Sequence, residues 1–147
     1  MTKNFPGIAE LNAFNNNIID EFRANDGKVG GQFANSNLLL LTTTGAKSGR
    51  QRVSPLAYFR VDGKLIIIGS FAGAPVSPAW VHNLRADPAA HVEVGTDSFD
   101  VTARELPTRE RDELFEKIAA AAPGFAEYQS KTSRVIPLFE LHRVQAT

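Results

Sequence analysis

Cysteine is absent from the 147 residues of this chain. Disulfide bridges, thiolate metal centres and a cysteine nucleophile are therefore excluded. The three histidines, His82, His91 and His142, are too few and too scattered to predict a metal site. No apolar run approaches the roughly 20 residues of a membrane-spanning helix, and the N-terminus lacks the continuous apolar core of a secretory signal.

Net charge is also absent, because 16 lysines and arginines balance 16 aspartates and glutamates. This balance argues against a nucleic-acid binder that relies on bulk positive charge. The charge is unevenly distributed, since residues 27–86 carry seven basic side chains and a single acidic one, Asp62. A positive region in a neutral protein favours an anionic small ligand as its partner, although a solvated basic face is the simpler alternative.

Hydrophobic patterning predicts a single α+β domain over residues 1–147, with no linker that would divide it. The predicted strands are residues 38–44, 52–61, 64–70, 91–94, 99–104 and 135–143. The predicted helices are an amphipathic helix at 8–24, a helix at 78–85 and a helix that Thr108 caps and Pro123–Gly124 ends. Most strands are joined by tight turns and are therefore antiparallel, and a small antiparallel sheet removes its edges by closing. We expect a small β-barrel with peripheral helices.

Two local signals refine this pattern. Asp62–Gly63 between two strands is typical of a tight two-residue hairpin turn. Ser77 is predicted as the N-cap of the second helix, with Pro78 at its first helical position.

The segment TTTGAKSGRQRVSPL, residues 42–56, predicts an anion-binding loop between two strands. Gly45 and Gly49 permit a tight turn and a close approach of a ligand to the backbone. Lys47, Arg50 and Arg52 add three cations, to which the loop adds hydroxyls and exposed amide N–H groups. The segment is not a phosphate-binding P-loop, because it does not lead into a helix. A polar hairpin loop without a ligand is the alternative.

The segment GSFAGAPVSPAWVHN, residues 69–83, runs from a strand end into a helix. Small residues at the strand end leave room for a flat ring, and free N–H groups at the helix start bind carbonyls or phosphate. Trp80 fits either a site or the core, and a lone histidine such as His82 is more often structural than catalytic.

These two segments, followed by YQSKTSRVIPLFEL, make the chain from about residue 30 to residue 141 resemble the deazaflavin-dependent nitroreductase family. Its members are the F420-dependent quinone and nitro reductases of actinobacteria, and their fold is a split β-barrel related to flavin-binding barrels. The resemblance implies coenzyme F420 as cofactor, with its deazaflavin ring, phosphate and anionic glutamate tail.

The resemblance also implies site residues. Lys47 and Arg52 would hold the phosphate and tail carboxylates, with help from Ser48. Segments 53–57 and 68–71 would line the ring, and residues 79–83 would cover the phosphate or tail. The full set of expected cofactor contacts is Ala46, Lys47, Ser48, Arg52, Val53, Ser54, Pro55, Leu56, Ala57, Ile68, Gly69, Ser70, Phe71, Ala79, Trp80, Val81, His82 and Asn83.

The implied reaction is hydride transfer from reduced F420 to a quinone, enone or nitroaromatic acceptor. Tyr128 is the candidate proton donor, and Ser70 is the candidate hydrogen-bonding group for ring or substrate. Phe125 joins Tyr128 in the expected substrate pocket. Because Phe125, Ala122 and Phe71 stand where some relatives carry polar residues, we expect this pocket to be more apolar than theirs.

Several alternatives stay open at this point. The chain fits, less well, an FMN-binding enzyme of the same barrel type or a non-catalytic F420 carrier. Monomer and homodimer are equally compatible with the sequence. We expect a cytoplasmic location, with weak contact of helix 8–24 at the inner face of the membrane as an open alternative.

Overall fold

Helices separate groups of three, two and one strands along the described chain. The computed structural model describes residues 8–29, 37–69 and 78–144, with side chains from residue 15 onward in the first helix. The helices are α1 (Ile8–Ala24), α2 (Ala79–Ala86), α3 (Thr108–Ala121) and α4 (Gly124–Ser130). The strands are β1 (Leu38–Thr44), β2 (Gln51–Val61), β3 (Lys64–Ile68), β4 (Ala89–Val94), β5 (Asp97–Glu105) and β6 (Leu138–Arg143).

The six strands form a closed barrel in the order β1-β2-β3-β6-β5-β4. Every neighbouring pair is antiparallel. The predicted α+β barrel and its predicted order of elements are thus confirmed, except that α4 was not foreseen.

Side chains along each strand point alternately into the barrel interior and outward. On the outside they form two surfaces that pack against helices. Leu39 and Leu41 of β1 point into the interior with Ile67 of β3. The intervening Leu40 lies on the outside beneath α1. Ile66 lies on the outside beneath α3. Both faces of β1 and β3 are therefore buried, which explains why these strands read as continuous apolar runs.

The predicted amphipathic helix at 8–24 is confirmed as α1. Its residues Ile18, Ile19 and Phe22 are buried, and Ile19 and Phe22 belong to a cluster that includes Leu40 on the outside of the barrel. The apolar residues whose side chains are described thus face the protein. Within the described residues, no helix is long and apolar enough to cross a membrane.

The hairpin predicted at Asp62–Gly63 is present. Both residues have positive φ, 54° and 78°, as the type I′ turn between twisted strands requires. Glycine tolerates this backbone at Gly63, and aspartate adopts it more readily than most residues do.

Two helix starts differ from the prediction. Pro78 is the N-cap of α2, with φ −66° and ψ 159°, rather than its first helical residue. The predicted cap Ser77 lies outside the described residues. Thr108 is the first residue of α3 and Pro107 is the N-cap, with no side-chain hydrogen bond. Proline fits an extended cap because its ring fixes φ near −65°, so neither helix needs a serine or threonine cap.

Strand ends also differ. The turn between β4 and β5 shrinks to Gly95–Thr96, because β5 begins two residues earlier than predicted, at Asp97. β4 is also longer, because it begins at Ala89. β2 begins one residue earlier, at Gln51, while β3 stops at Ile68 and β6 begins at Leu138 rather than at residue 135. Side chains, not a neighbouring strand, bind the backbone of Ile136, and Pro137 has no N–H to donate.

The helix α4 is the main omission. Pro123–Gly124 follow the end of α3 as predicted, but Pro123 has helical angles, φ −58° and ψ −21°, and a second helix begins there. Its seven residues are too few for a clear periodic signal. Tertiary packing supports this helix, since Phe125 lies edge-on against Phe59 of β2.

Candidate functional site

One edge of β2 has no described partner strand over half its length. β2 pairs with β1 from Gln51 to Ala57. It pairs with β3 only from Tyr58 onward. Because β3 ends at Ile68, residues 51–57 and the end of β3 border a stretch of the barrel wall without described strand pairing, which we call the notch. The pairing of Tyr58 with Ile67 places segments 53–57 and 68–69, both predicted to line a ring, beside this stretch. Ser70 and Phe71, predicted beside them, lie outside the described residues.

Gly69 has a packing role that sequence reasoning did not foresee. A Cβ at this position would lie 2.8 Å from Val81 Cγ2 and 2.9 Å from Pro137 Cγ. Its N–H donates to the Pro137 carbonyl at 2.9 Å. Contact with neighbouring residues therefore suffices to require glycine here, whatever the adjacent ligand.

The loop between β1 and β2 is a tight, internally bonded turn. The Gly45 N–H donates to the Arg50 carbonyl at 2.7 Å, and the Gly49 N–H donates to the Gly45 carbonyl at 2.9 Å. The Arg50 N–H donates to Ser48 Oγ at 3.1 Å. Gly49 has φ +71°, and a Cβ on Gly45 would lie 2.6 Å from Ser48 Oγ. The two glycines therefore permit the tight turn that the sequence predicts, whereas the close approach of a ligand to their backbone stays a prediction.

The amide N–H groups of this loop are only partly free. Those of Gly45, Ala46, Gly49 and Arg50 are bound within the protein. In the described parts of the chain, no acceptor is bound to the N–H groups of residues 47 and 48. The predicted anion cradle is thus reduced to two adjacent backbone donors together with the nearby cations.

Those cations are exposed and unneutralised. Across residues 8–29, 37–69 and 78–144, Lys47, Arg50 and Arg52 form no ion pair, and the sequence has no acidic residue between Asp26 and Asp62. Other arginines are matched to carboxylates, as in Arg23–Glu93, Arg85–Glu105 and Arg104–Glu110, at 2.7–2.8 Å. A concentration of unpaired positive charge is the chemistry that an anionic cofactor with a phosphate and several carboxylates requires.

Arg52 is also placed by strand register. It lies opposite Thr43 across the β1–β2 pair, on the face that Ser54 and Leu56 share. Thr43 is 2% exposed, so this face leads from the barrel interior to its mouth, where Arg52 is exposed.

Asn83 of α2 joins the helix to the cationic loop. Its Nδ2 donates to Thr43 Oγ1 at 3.1 Å. Its Oδ1 accepts a hydrogen bond from the Ala46 N–H at 2.9 Å. Asn83 is 6% exposed, so its carboxamide supports the loop from inside the protein. Sequence reasoning missed Thr43, whose only signal is a hydroxyl near the end of an apolar strand.

The other α2 residues divide into two groups. Trp80 and Val81 are buried in the barrel interior. The Trp80 ring packs edge-on against Phe139, with centroids 5.7 Å apart. Their side chains serve the core, which is the structural alternative considered for Trp80, and only their backbone is left for a ligand. Ala79 and His82 are exposed.

Phe125 and Tyr128 of α4 form an aromatic row with Phe59. The ring centroids are 5.5 Å apart for Phe59–Phe125 and 5.7 Å apart for Phe125–Tyr128, both edge-on at 82°. Phe59 lies on the same face of β2 as Ala57, because the two are two residues apart. Within the described chain the Tyr128 hydroxyl has no hydrogen-bond partner, and its role as proton donor stays a prediction.

Charge is also present beyond the loop, near the end of α2. Burial lowers the pKa of the Arg134 guanidinium from its ordinary value, and the positive charge of Arg85 lowers it further. Arg85 itself has a raised pKa because its guanidinium donates to Glu105.

Comparison with known proteins assigns the fold and chemistry. Residues 16–142 match the F420H2-dependent quinone reductase family model. The chain is 36% identical over 126 residues to an F420H2-dependent quinone reductase of Mycobacterium tuberculosis, covering 83% of this chain and 85% of the relative.

Two solved structures agree. An F420-H2 dependent reductase, FDR-A, has a TM-score of 0.64 and 41% identity, covering 72% of this chain and 94% of that one. A chain described as a domain-swapped dimer has a TM-score of 0.66 and 36% identity, covering 92% and 100%. The barrel is therefore the predicted split β-barrel, and the exposed cations beside the notch suit F420. This chain belongs to the F420H2-dependent quinone reductase family and is an F420-dependent reductase whose hydride donor is reduced coenzyme F420.

Proposed function

We propose that this enzyme reduces quinones, with the cofactor held along the β1–β2 loop and the notch, and the acceptor held beside α4. The observation that carries the proposal is the group of unneutralised cations Lys47, Arg50 and Arg52 next to the unpaired edge of β2. When bound, F420 supplies the hydride, and the protein supplies geometry and electrostatics.

Lys47 and Arg52 bind the phosphate and the tail carboxylates. The N–H groups of Lys47 and Ser48, which bind no acceptor among the described residues, add two donors. Charge-assisted hydrogen bonds of this kind are worth about 1.5–3 kcal/mol each. Arg50 contributes to the same positive field, and its own contact is the weaker expectation.

The ring lies against the notch. Segment 53–57 offers small and apolar surface there, beside the backbone of the buried residues Ile68 and Gly69. Ser70 and Phe71, which follow in the sequence, stay predicted ring contacts. Ala79 and His82, which are exposed, cover the phosphate or tail with side chain and backbone, whereas Trp80 and Val81 contribute backbone alone. Asn83 acts through Ala46 by holding the loop in place.

The acceptor occupies the surface of Phe125 and Tyr128. Reduction of a quinone to a hydroquinone consumes one hydride and one proton. The Tyr128 hydroxyl donates that proton to the quinone oxygen and recovers one from solvent, to which its side chain is partly exposed. Flat apolar acceptors, including conjugated enones, are favoured by area burial against Phe125. Nitroaromatics are poorer, because Phe125 offers no hydroxyl to a nitro oxygen.

The deciding experiment measures oxidation of reduced F420 by menadione, followed by the return of F420 fluorescence, with a no-quinone control. Turnover supports the enzyme, whereas binding without oxidation supports a non-catalytic carrier. A parallel titration compares F420 with FMN. We expect clear preference for F420, because FMN has one phosphate and no glutamate tail for three cations, and equal or tighter FMN binding contradicts the site.

For assembly, we propose a homodimer, which the similarity to a chain described as a domain-swapped dimer supports. Light scattering on the purified protein tests it, and a monomer mass contradicts it. We also propose a cytoplasmic location. Contact of α1 with the membrane has less support, because Ile18, Ile19 and Phe22 are buried in the protein. Flotation with lipid vesicles distinguishes the two locations.

A further inference from the structure

Two side chains bind the backbone just before β6. The Ile136 N–H donates to Gln129 Oε1 at 3.0 Å. The Ile136 carbonyl accepts a hydrogen bond from Arg111 Nε at 2.9 Å. Arg111 Nη2 donates to the same Gln129 Oε1 at 2.6 Å, and Gln129 Nε2 donates to the Arg134 carbonyl at 2.8 Å. We call the arrangement of Arg111, Gln129 and the Ile136 backbone the latch.

Arg111 is an unusual residue for this position. It is 8% exposed, and its guanidinium carbon lies 4.2 Å from the centroid of the Phe115 ring. Its Nη1 donates to Asp112 at 2.9 Å. Burying a guanidinium is costly unless its donors are satisfied. An apolar residue would pack α3 on the barrel without that cost. The arginine is therefore better explained by its hydrogen bonds, which hold Gln129 and the Ile136 carbonyl in place.

The latch fixes α4 relative to the barrel. Gln129 directly follows Tyr128 in α4, so its three hydrogen bonds restrain the turn that carries the tyrosine. Ile136 precedes Pro137, whose carbonyl accepts the Gly69 N–H at the end of β3. The latch therefore joins α3, α4 and a segment that is itself bonded to the barrel wall.

Without the latch, the described contacts of the Tyr128 side chain are packing against the apolar cluster beneath α3 and ring contacts, edge-on with Phe125 and with the Lys131 ammonium 5.8 Å away. Such contacts have broad geometry, whereas hydrogen bonds donated by a planar guanidinium are directional. A proton donor needs the directional kind of support, because a displacement of about 1 Å costs up to about a hundredfold in rate.

We propose that Arg111 is a positioning residue for acceptor reduction, which acts through Gln129 to hold Tyr128 in its donating orientation. This inference rests on the proposed role of Tyr128. It concerns the acceptor step alone, since the cations assigned to the cofactor lie on a different loop.

The test is a double-mutant cycle. Arg111→Met and Gln129→Met are made alone and combined with Tyr128→Phe, and kcat/KM for menadione is measured at saturating reduced F420. Each single latch variant is expected to lose about tenfold or more in kcat/KM, while F420 affinity changes by about twofold at most. In the Tyr128→Phe background the further loss shrinks to about twofold, because the positioned group is gone.

Two variants separate positioning from general stabilisation. Gln129→Glu keeps the acceptor for Arg111 and for the Ile136 N–H but loses the donor to the Arg134 carbonyl. It is expected to restore part of the activity that Gln129→Met loses. Arg104→Met is the matched control, because Arg104 binds Glu110 of α3 at 2.7 Å but makes no described contact with α4. It should lower Tm without changing kcat/KM of the folded enzyme.

The outcomes are distinguishable. If wild type does not oxidise reduced F420 with menadione, the proposed function and the latch both fall. If Tyr128→Phe lowers turnover but the losses in the double variants simply multiply, the positioning role of Arg111 is contradicted and the proposed function is not. The same holds if Arg104→Met loses as much kcat/KM as Arg111→Met. Should Arg111→Met not fold, Gln129→Met and Gln129→Glu carry the same cycle.

Discussion

The carboxamide oxygen of Asn83 accepts a hydrogen bond from the backbone N–H of Ala46 at 2.9 Å, across 37 positions of sequence. Through this bond the second helix supports the cationic loop from within. The loop's own bonds close its turn, and Asn83 sets where the turn sits relative to the barrel mouth.

Asn83→Ala tests this support. Removing the carboxamide leaves the Ala46 N–H and the buried Thr43 hydroxyl without a partner, which costs about 1–3 kcal/mol. We expect a lower Tm and weaker F420 binding at a temperature where the variant is folded. Thr43→Val removes one of the two hydrogen bonds, and its effect on affinity should be smaller. Unchanged F420 affinity in folded Asn83→Ala would show that the loop holds its position without help.

Lys47→Ala and Arg52→Ala test the cofactor-binding cations. Each is expected to weaken F420 binding about tenfold to a hundredfold, from the loss of one charge-assisted contact, while Tm changes little because both side chains are exposed. Fluorescence titration at low and high salt provides the measurement, since salt screens exposed charges. Arg60→Ala is the matched control, because Arg60 is an exposed arginine at the other end of β2. Equal losses of F420 affinity in Arg52→Ala and Arg60→Ala would indicate a diffuse positive field rather than a specific binding site.

Tyr128→Phe and Phe125→Tyr test the acceptor pocket. Tyr128→Phe keeps the ring contact with Phe125 and removes only the hydroxyl, so turnover of menadione should fall while F420 affinity is retained. Phe125→Tyr adds a hydroxyl and should raise activity toward a nitroimidazole relative to menadione. Steady-state rates with both acceptors measure this. A wild-type enzyme that prefers the nitroimidazole contradicts the apolar pocket.

Acid should destabilise the protein through its ion-paired carboxylates. The hydrogen bond from Arg85 holds the pKa of Glu105 below its ordinary value, and that from Arg104 does the same for Glu110. A pKa lowered by folding gives stability that is present above the ordinary value of 4.5 and is lost as the pH falls through the folded value. Thermal unfolding from about pH 7 to about pH 3 should therefore show Tm falling mainly below this value.

A variant isolates this effect. Glu105→Gln should lower Tm at neutral pH and flatten its decline in acid. Glu116→Gln is the control, because Glu116 is exposed and forms no ion pair in the described part of the chain. If Tm falls equally in acid for wild type and Glu105→Gln, Glu105 does not contribute to the acid destabilisation.

Local patterns in the sequence were sufficient to predict the strands of the barrel and their antiparallel pairing. Alternation and apolar runs report burial on one or both faces, and Asp62–Gly63 specifies its turn through backbone preferences that involve only neighbouring residues. The cationic loop is local in the same sense, because Gly45 and Gly49 shape it and its charges lie within six positions. Hydride transfer from reduced F420 to a quinone, enone or nitroaromatic acceptor was anticipated from the resemblance of three motifs in order, and the family match confirms F420 and the quinone.

Tertiary structure decided which groups each motif residue meets. Asn83 reads as a site residue in its motif, yet its partners Thr43 and Ala46 are known only once α2 packs at the barrel mouth. Arg111 reads as one more charge on a solvated helix, and only folding buries it against Gln129. These hydrogen bonds and this burial depend on distances between segments that are remote in sequence, and the pattern of residues along the chain does not specify those distances.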